Sequence, residues 1–211
     1  QVLVYRFASE ILKRAWETTG NRKYFDAIEE KARLALKVNP RFNDDISNRI
    51  LFLKEVFPAN YLAVRGESDE TKAFLKQIDD QLAADTKRLR ATQRPDGMWQ
   101  FDPGRLDGGT WKIKMDDSDV APAPTALALT ALHALGFDDR DAQVKRGVEA
   151  MLKRQDPFGR WNQHALTGFV TTAYTLQALS RLYPAADAKP ARGDFEPRAG
   201  EDLSDTIARF R

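Results

Sequence analysis

The sequence has no cysteine and only two histidines, His133 and His164. The first absence excludes disulfides, thiolate metal ligands and a thiol nucleophile, and it removes the redox clue that would separate a cytoplasmic from a periplasmic or secreted location. His133 falls in an apolar stretch and His164 in a loop; they share no ligand spacing, and no metal site is expected. Long apolar runs are missing too. The most apolar stretch, residues 120–135, contains Pro122, Pro124, Thr125, Thr130 and His133, too short and too mixed to span a bilayer. Neither charge sign dominates: 33 Lys and Arg stand against 31 Asp and Glu, interspersed, so no nucleic-acid partner is implied. Lys87, Arg88 and Arg90 share a helical stretch with Asp79, Asp80 and Asp85 and read as a solvated face. Gly-x-Ser-x-Gly, a Gly-rich phosphate loop and His-Glu-x-x-His are all absent, and no cofactor is expected. The chain opens at Gln1 directly on a helical pattern, without Met or a signal-peptide core, and is read as a fragment or processed form.

What is present is a repeat. The composition, 42% hydrophobic and 30% charged, suits a soluble domain with a sizeable core. Gln93, Pro95, Gly97 and Trp99 have the same spacing as Gln155, Pro157, Gly159 and Trp161, at an offset of 62. An amphipathic helix precedes each turn: Val144, Val148, Met151 and Leu152 form one stripe, Phe74, Ile78, Leu82 and Leu89 the other. A second helix type follows each turn, rich in small and aliphatic residues over most of its circumference. Here Thr125 to Leu132 match Thr172 to Leu179 at an offset of 47, because an inserted loop over residues 103–119 follows the first turn. A helix apolar nearly all round must be covered on all sides, so this type is assigned to an inner layer.

The N-terminal part joins more weakly, at an offset of 116: Gly20 falls on Gly136, Ile28 on Val144, Ala32 on Val148 and Leu36 on Leu152. Inner helices are expected near 4–19, 44–57, 123–135 and 168–183, and outer helices near 22–38, 69–93 and 140–155. That is an all-α segment of about three and a half hairpins, a weak repeat over 1–68 and clear repeats over 69–184. From Pro184 onward the chain carries Pro190, Pro197, Gly193, Gly200 and many charges, and residues 185–211 are expected to form a linker or surface strap with a short helix.

At each Gln-to-Trp turn the physical task is to stop a helix and reverse the chain. Gly97 and Gly159 supply permissive backbone angles, Pro95 forbids continuation, and the Trp99 and Trp161 rings anchor the corner. The pattern Gln-x-x-x-Gly-x-Trp after an apolar helix resembles the repeat of squalene-hopene and oxidosqualene cyclases and of the wider prenyltransferase and squalene-oxidase repeat group. The resemblance covers residues 71–184 and implies an α/α toroid, part of an (α/α)6 barrel of about six hairpins around a cavity. This segment alone does not close such a ring, so further repeats of the same chain or another subunit are implied as partners, with a hydrophobic small molecule as the ligand class.

The resemblance does not bring its chemistry along. Terpenoid cyclases of this type carry Asp-x-Asp-Asp just before a Thr-Ala at the start of an inner helix, where one carboxylic acid protonates an alkene. Here the stretch before Thr125 is Ala121 to Pro124, and before Thr172 it is Gly168 to Thr171. Asp116, Asp117 and Asp119 are nearby but out of register, and read as a solvated loop with a helix cap; they are the weak catalytic candidates. Prenyltransferases hold zinc with Asp, Cys and His; the matching place for the His is Thr171, and cysteine is absent. Aromatic candidates for a cavity wall are Tyr5, Phe7, Trp111, Phe169 and Tyr174, with ordinary core packing as the plainer reading. Residues 24–36 faintly resemble helices of α/α-toroid pectate lyases, in which Asp and Arg side chains do the work; Asp102, Arg105, Asp116 and Arg160 could be recruited in that way, although their spacing does not demand it. The leading expectation is a squalene-cyclase-like repeat domain without a recognisable catalytic acid, acting as a binding or assembly module in a larger protein. The alternatives are a terpenoid cyclase fragment whose acid lies elsewhere, and a carbohydrate-active toroid.

Overall fold

A computed structural model describes residues 1–107, 110–112, 122–161 and 168–184. The elements are α1 (Val2–Thr19), α2 (Arg22–Lys37), α3 (Asn43–Leu51), α4 (Tyr61–Arg65), α5 (Asp69–Ala91), β1 (Arg105–Asp107), β2 (Thr110–Lys112), α6 (Pro122–Ala134), α7 (Ala142–Leu152) and α8 (Gly168–Leu182). Helix ends follow local chemistry. Gly20, at φ +65°, closes α1 and donates its N–H to Trp16 O at 2.7 Å. The side chains of Asn21, Ser68 and Asp141 cap α2, α5 and α7 by accepting from the amides of Lys23, Thr71, and Gln143 with Val144. Pro122 and Pro124 sit in the first turn of α6, where a missing amide donor costs nothing.

Three features depart from the expectation. The helix read as continuous over 44–57 is α-helical only to Leu51 and ends in a π-type turn, Phe52–Val56, before Pro58. The short α4 has no counterpart among the expected helices. The insert after the first turn is not purely irregular: β1 and β2 pair antiparallel, Leu106 opposite Trp111, a small ribbon beside the helices of the described residues.

Packing separates two helix types. In one set, α1 lies against α3, α3 against α6, and α6 against α8; α2, α5 and α7 pack on α1, α3 and α6 respectively. The central helix α6 is buried on nearly every side, with Ala126, Ala128, Leu129, Ala131 and Leu132 all at zero exposure. A helix without a polar face is stable only in that position. Helix α8 differs from its sequence twin: Val170 and Leu176 remain exposed, as does Tyr183 just past its end, so only part of its apolar circumference is covered. A cluster of Trp16, Phe25, Phe57, Tyr61 and Phe74 joins α1, α2, α4 and α5, with neighbouring ring centroids 5.0–5.9 Å apart. Arg49 and Asp85 form a buried bidentate pair at 2.7 Å, each side chain 3% exposed, and Arg49 Nη1 also donates to Ala35 O and Val38 O. One guanidinium thereby ties α3 to α5 and satisfies carbonyls at the C-terminal end of α2.

Candidate functional site

The two Gln-to-Trp turns share one set of hydrogen bonds. In the first, Arg94 N–H donates to Met98 O (2.9 Å) and Gly97 N–H to Arg94 O (2.9 Å); in the second, Asp156 N–H donates to Arg160 O (2.8 Å) and Gly159 N–H to Asp156 O (2.9 Å). Gln93 Nε2 donates to Gly97 O and Gln155 Nε2 to Gly159 O, both at 2.9 Å. The indoles of Trp99 and Trp161 donate back to Leu89 O (2.7 Å) and Met151 O (2.8 Å) on the preceding helix. Their backbone amides donate to the hydroxyls of Thr125 (2.9 Å) and Thr172 (3.2 Å) in the helices that follow, α6 and α8. Both glycines have positive φ, +88° and +78°, a conformation that a side chain resists. In the sequence the two threonines are visible only as part of the apolar repeat; their hydroxyl role depends on a contact 26 and 11 residues back.

The turns differ in what covers them. Around the first, Gln93 Nε2 also donates to Gln143 O at 2.9 Å, its Oε1 accepts from Arg146 at 3.1 Å, and Gln143 Nε2 returns a bond to Arg90 O at 2.9 Å. Helix α7 passes so closely that a Cβ on Gly97 would stand 2.6 Å from Arg146 O and 3.2 Å from Ala150 Cβ. Gly147 is small for a related reason, since a Cβ there would lie 2.9 Å from the Trp99 ring. Arg90 closes the seam, pairing with Asp141 at 2.9 Å and stacking over Phe137 at 4.7 Å. Burial alone raises the Asp141 carboxyl, but Arg90 and the amides of Val144 and Gln143 together hold it below the ordinary range. The second turn has the same Gln and Gly exposed to solvent, with Phe158 80% and Leu152 46% exposed beside them.

The remaining candidate residues do not gather into one place. Asp116, Asp117, Asp119 and His164 lie outside the described residues, as do the side chains of Arg105, Trp111 and Phe169. On α1, Tyr5 is half-buried and accepts from Gln1, while Phe7 is exposed. Tyr174 is half-buried on α8 and packs on the core. Asp102 pairs with Arg41 at 2.7 Å; Arg160 pairs with Asp156 inside its own turn and lies over Phe158. His133 is half-buried on α6, its Nδ1 without a hydrogen bond.

Two polar groupings leave no mark in the sequence pattern. A cleft of about 340 Å³ is lined by Arg22, Glu29, Arg33, Tyr61 and Arg65 with the start of α5. Its cations are matched by carboxylates: Arg65 reaches Asp26 (2.7 Å) and Glu29 (2.6 Å), and Arg33 reaches Glu29 (2.8 Å). Burial raises the Glu29 carboxyl, yet hydrogen bonds from Arg33, Tyr61 and Arg65 outweigh it and hold the group low. The cleft is therefore a seam between α2, α4 and α5. At the start of α3, Asp44 Oδ1 is buried without a partner, and burial together with the neighbouring Asp45 charge pushes its carboxyl up. Among the described residues no group of three or more His, Asp or Glu is placed to hold a metal ion, and no helix is long and apolar enough to cross a membrane. Comparison of the sequence with protein-family models and with curated proteins returned no match.

Proposed function

We propose that this chain is a segment of an α/α toroid of the squalene-cyclase-like repeat type, acting as a binding or assembly module within a larger structure. The observation that carries the reading is at the ends of the inner succession. Helix α1 leaves Val4, Phe7 and Ile11 exposed at i, i+3 and i+7, and α8 leaves Val170 and Leu176 exposed, whereas α3 and α6 between them are covered. Apolar side chains exposed on the first and last members, and not on the middle ones, are what a repeat array presents where further repeats or another subunit stack. The matching turns support a common architecture for the two clear repeats. Fold resemblance assigns no chemistry, and none is proposed.

The test is sedimentation velocity of the chain over a range of concentrations. Its mean mass should rise with concentration through these surfaces, and Ile11→Glu combined with Leu176→Glu should return it to monomer with an unchanged far-UV spectrum. A parent chain that stays monomeric throughout and binds no apolar dye refutes the module reading.

A further inference from the structure

The difference between the two turns carries a more specific conclusion. The bonds internal to the first turn, those of the backbone, of the glutamine to the glycine carbonyl and of the indole, recur in the second, so the second turn is folded and ready. What it lacks, among the described residues, is the partner that the first turn has in α7. Gln93 uses its amide twice, once on its own turn and once on the α7 backbone; Gln155 uses it once, on Gly159 O, and is otherwise open to solvent. Gly97 is left no room for a Cβ by the α7 backbone, whereas around Gly159 the nearest neighbour to a Cβ is the tip of Gln155 itself, at 3.6 Å.

We infer that the second turn is a docking socket for one further amphipathic helix, laid across Gln155 and Gly159 as α7 lies across Gln93 and Gly97. This rests on the toroid-module reading and names the partner of its C-terminal side. The socket states the chemistry of its occupant. The helix must present a small residue where Ala150 approaches Gly97, because the turn is met at backbone distance. It must offer a main-chain carbonyl in its first turns to Gln155 Nε2, and a donor to Gln155 Oε1, as Gln143 and Arg146 do for Gln93. Its lead-in must carry an apolar residue, as α7 carries Phe137, and needs no acidic cap. Arg90, which meets Asp141 and Phe137 in the first seam, is replaced at the offset of 62 by Leu152, which is exposed and uncharged. Phe158, standing where the first turn has Asp96, extends the same apolar border.

A second copy of this chain is a poor occupant. Its own leading outer helix, α2, places Lys31 and Leu34 where α7 has Gly147 and Ala150, at the offset of 116. Two long side chains then fall on the face that must approach the turn most closely. The geometry therefore favours a helix of α7 type from a different repeat.

The α7 sequence is itself the available probe. A peptide of residues 137–154, kept helical by a lactam between Lys145 and Glu149, which are both exposed in the folded chain, is labelled and titrated with the full chain. Saturable binding is expected, about tenfold weaker to the Gln155→Ala chain because two cross-helix hydrogen bonds go with that side chain. It should be abolished in a peptide carrying Ala150→Leu. Gln155 is exposed, so the Gln155→Ala chain should keep its far-UV spectrum and serve as a folded control. A peptide that binds no better than its Ala150→Leu version, or binds the Gln155→Ala chain equally well, overturns the socket. That result leaves the module reading to its own sedimentation test, which addresses α1 and α8 and not the turn.

Discussion

The same substitution made in the two turns should have two different costs. Gln93→Ala removes the bond to Gly97 O, the bond to Gln143 O and the acceptor of Arg146, in a seam where Gln93 itself is buried. Gln155→Ala removes only the bond to Gly159 O, on the surface. A net hydrogen bond contributes about 0.5–1.5 kcal/mol, and a buried carbonyl left without its donor costs more than one that water can reach. The Arg146 bond is charge-assisted, but that side chain is exposed, so the low end of the charged range applies. These contributions place Gln93→Ala at about 2–3 kcal/mol and Gln155→Ala at about 0.5 kcal/mol. Equilibrium urea unfolding of the two variants and the parent, followed by far-UV circular dichroism, measures both as midpoint shifts at an unchanged denaturant slope. Costs agreeing within about 0.5 kcal/mol would refute the claim that α7, and not the turn itself, gives Gln93 its value.

Trp161→Ala should destabilise by about 3–5 kcal/mol, since the ring is 2% exposed and its indole bond to Met151 O is lost with it; a cost under about 0.5 kcal/mol in the same urea assay would show that the ring anchors nothing. Arg49→Ala should cost about 3–5 kcal/mol by leaving Asp85 buried without its ion pair, and Arg49→Met with Asp85→Leu should recover only part of that loss in a double-mutant cycle, because Ala35 O and Val38 O still lack their donor. Asp44→Asn should stabilise the chain at neutral pH. A carboxyl whose folded pKa is raised opposes folding once the pH exceeds its unfolded value, and the full penalty is in place above the raised value. The gain should fade as the pH falls through that window and vanish where both states are protonated; thermal melts of parent and variant at several pH values would expose a constant or inverted difference.

The helices are legible in the sequence because their signals are local. The stripes Val144, Val148, Met151 and Phe74, Ile78, Leu82 each operate within two or three turns of chain. The π-type turn at Phe52–Val56 is not legible, because nothing in Phe-Leu-Lys-Glu-Val distinguishes an i+5 bond from an i+4 bond. The short strands β1 and β2 pair within an insert whose sequence looks like loop. Asp44 is hidden for a different reason: an Asp-Asp at a helix start reads as a cap, and only three-dimensional burial leaves one of its oxygens unpartnered. Arg49 and Asp85 are 36 residues apart, ordinary charges until α3 and α5 pack and enclose them.

The turns make the boundary between the two kinds of information plain. Seven residues suffice to repeat the shared bonding of the corner, from the glycine at positive φ to the indole on the preceding carbonyl, whether or not a helix lies across it. The motif therefore encodes a corner and remains silent about the occupant. Specificity falls on positions outside the matched residues or between them: Arg90 against Leu152, and Asp96 against Phe158. Exchanging one pair, with Leu152→Arg, should give the second turn a preference for a helix led by an acidic cap and make it less dependent on the apolar residue alone. In the peptide titration, a probe of residues 137–154 with Phe137→Ala, keeping Asp141, should lose affinity for the parent chain and regain it on the Leu152→Arg chain. Equal responses of the two chains would mean that the flanking positions do not select the occupant.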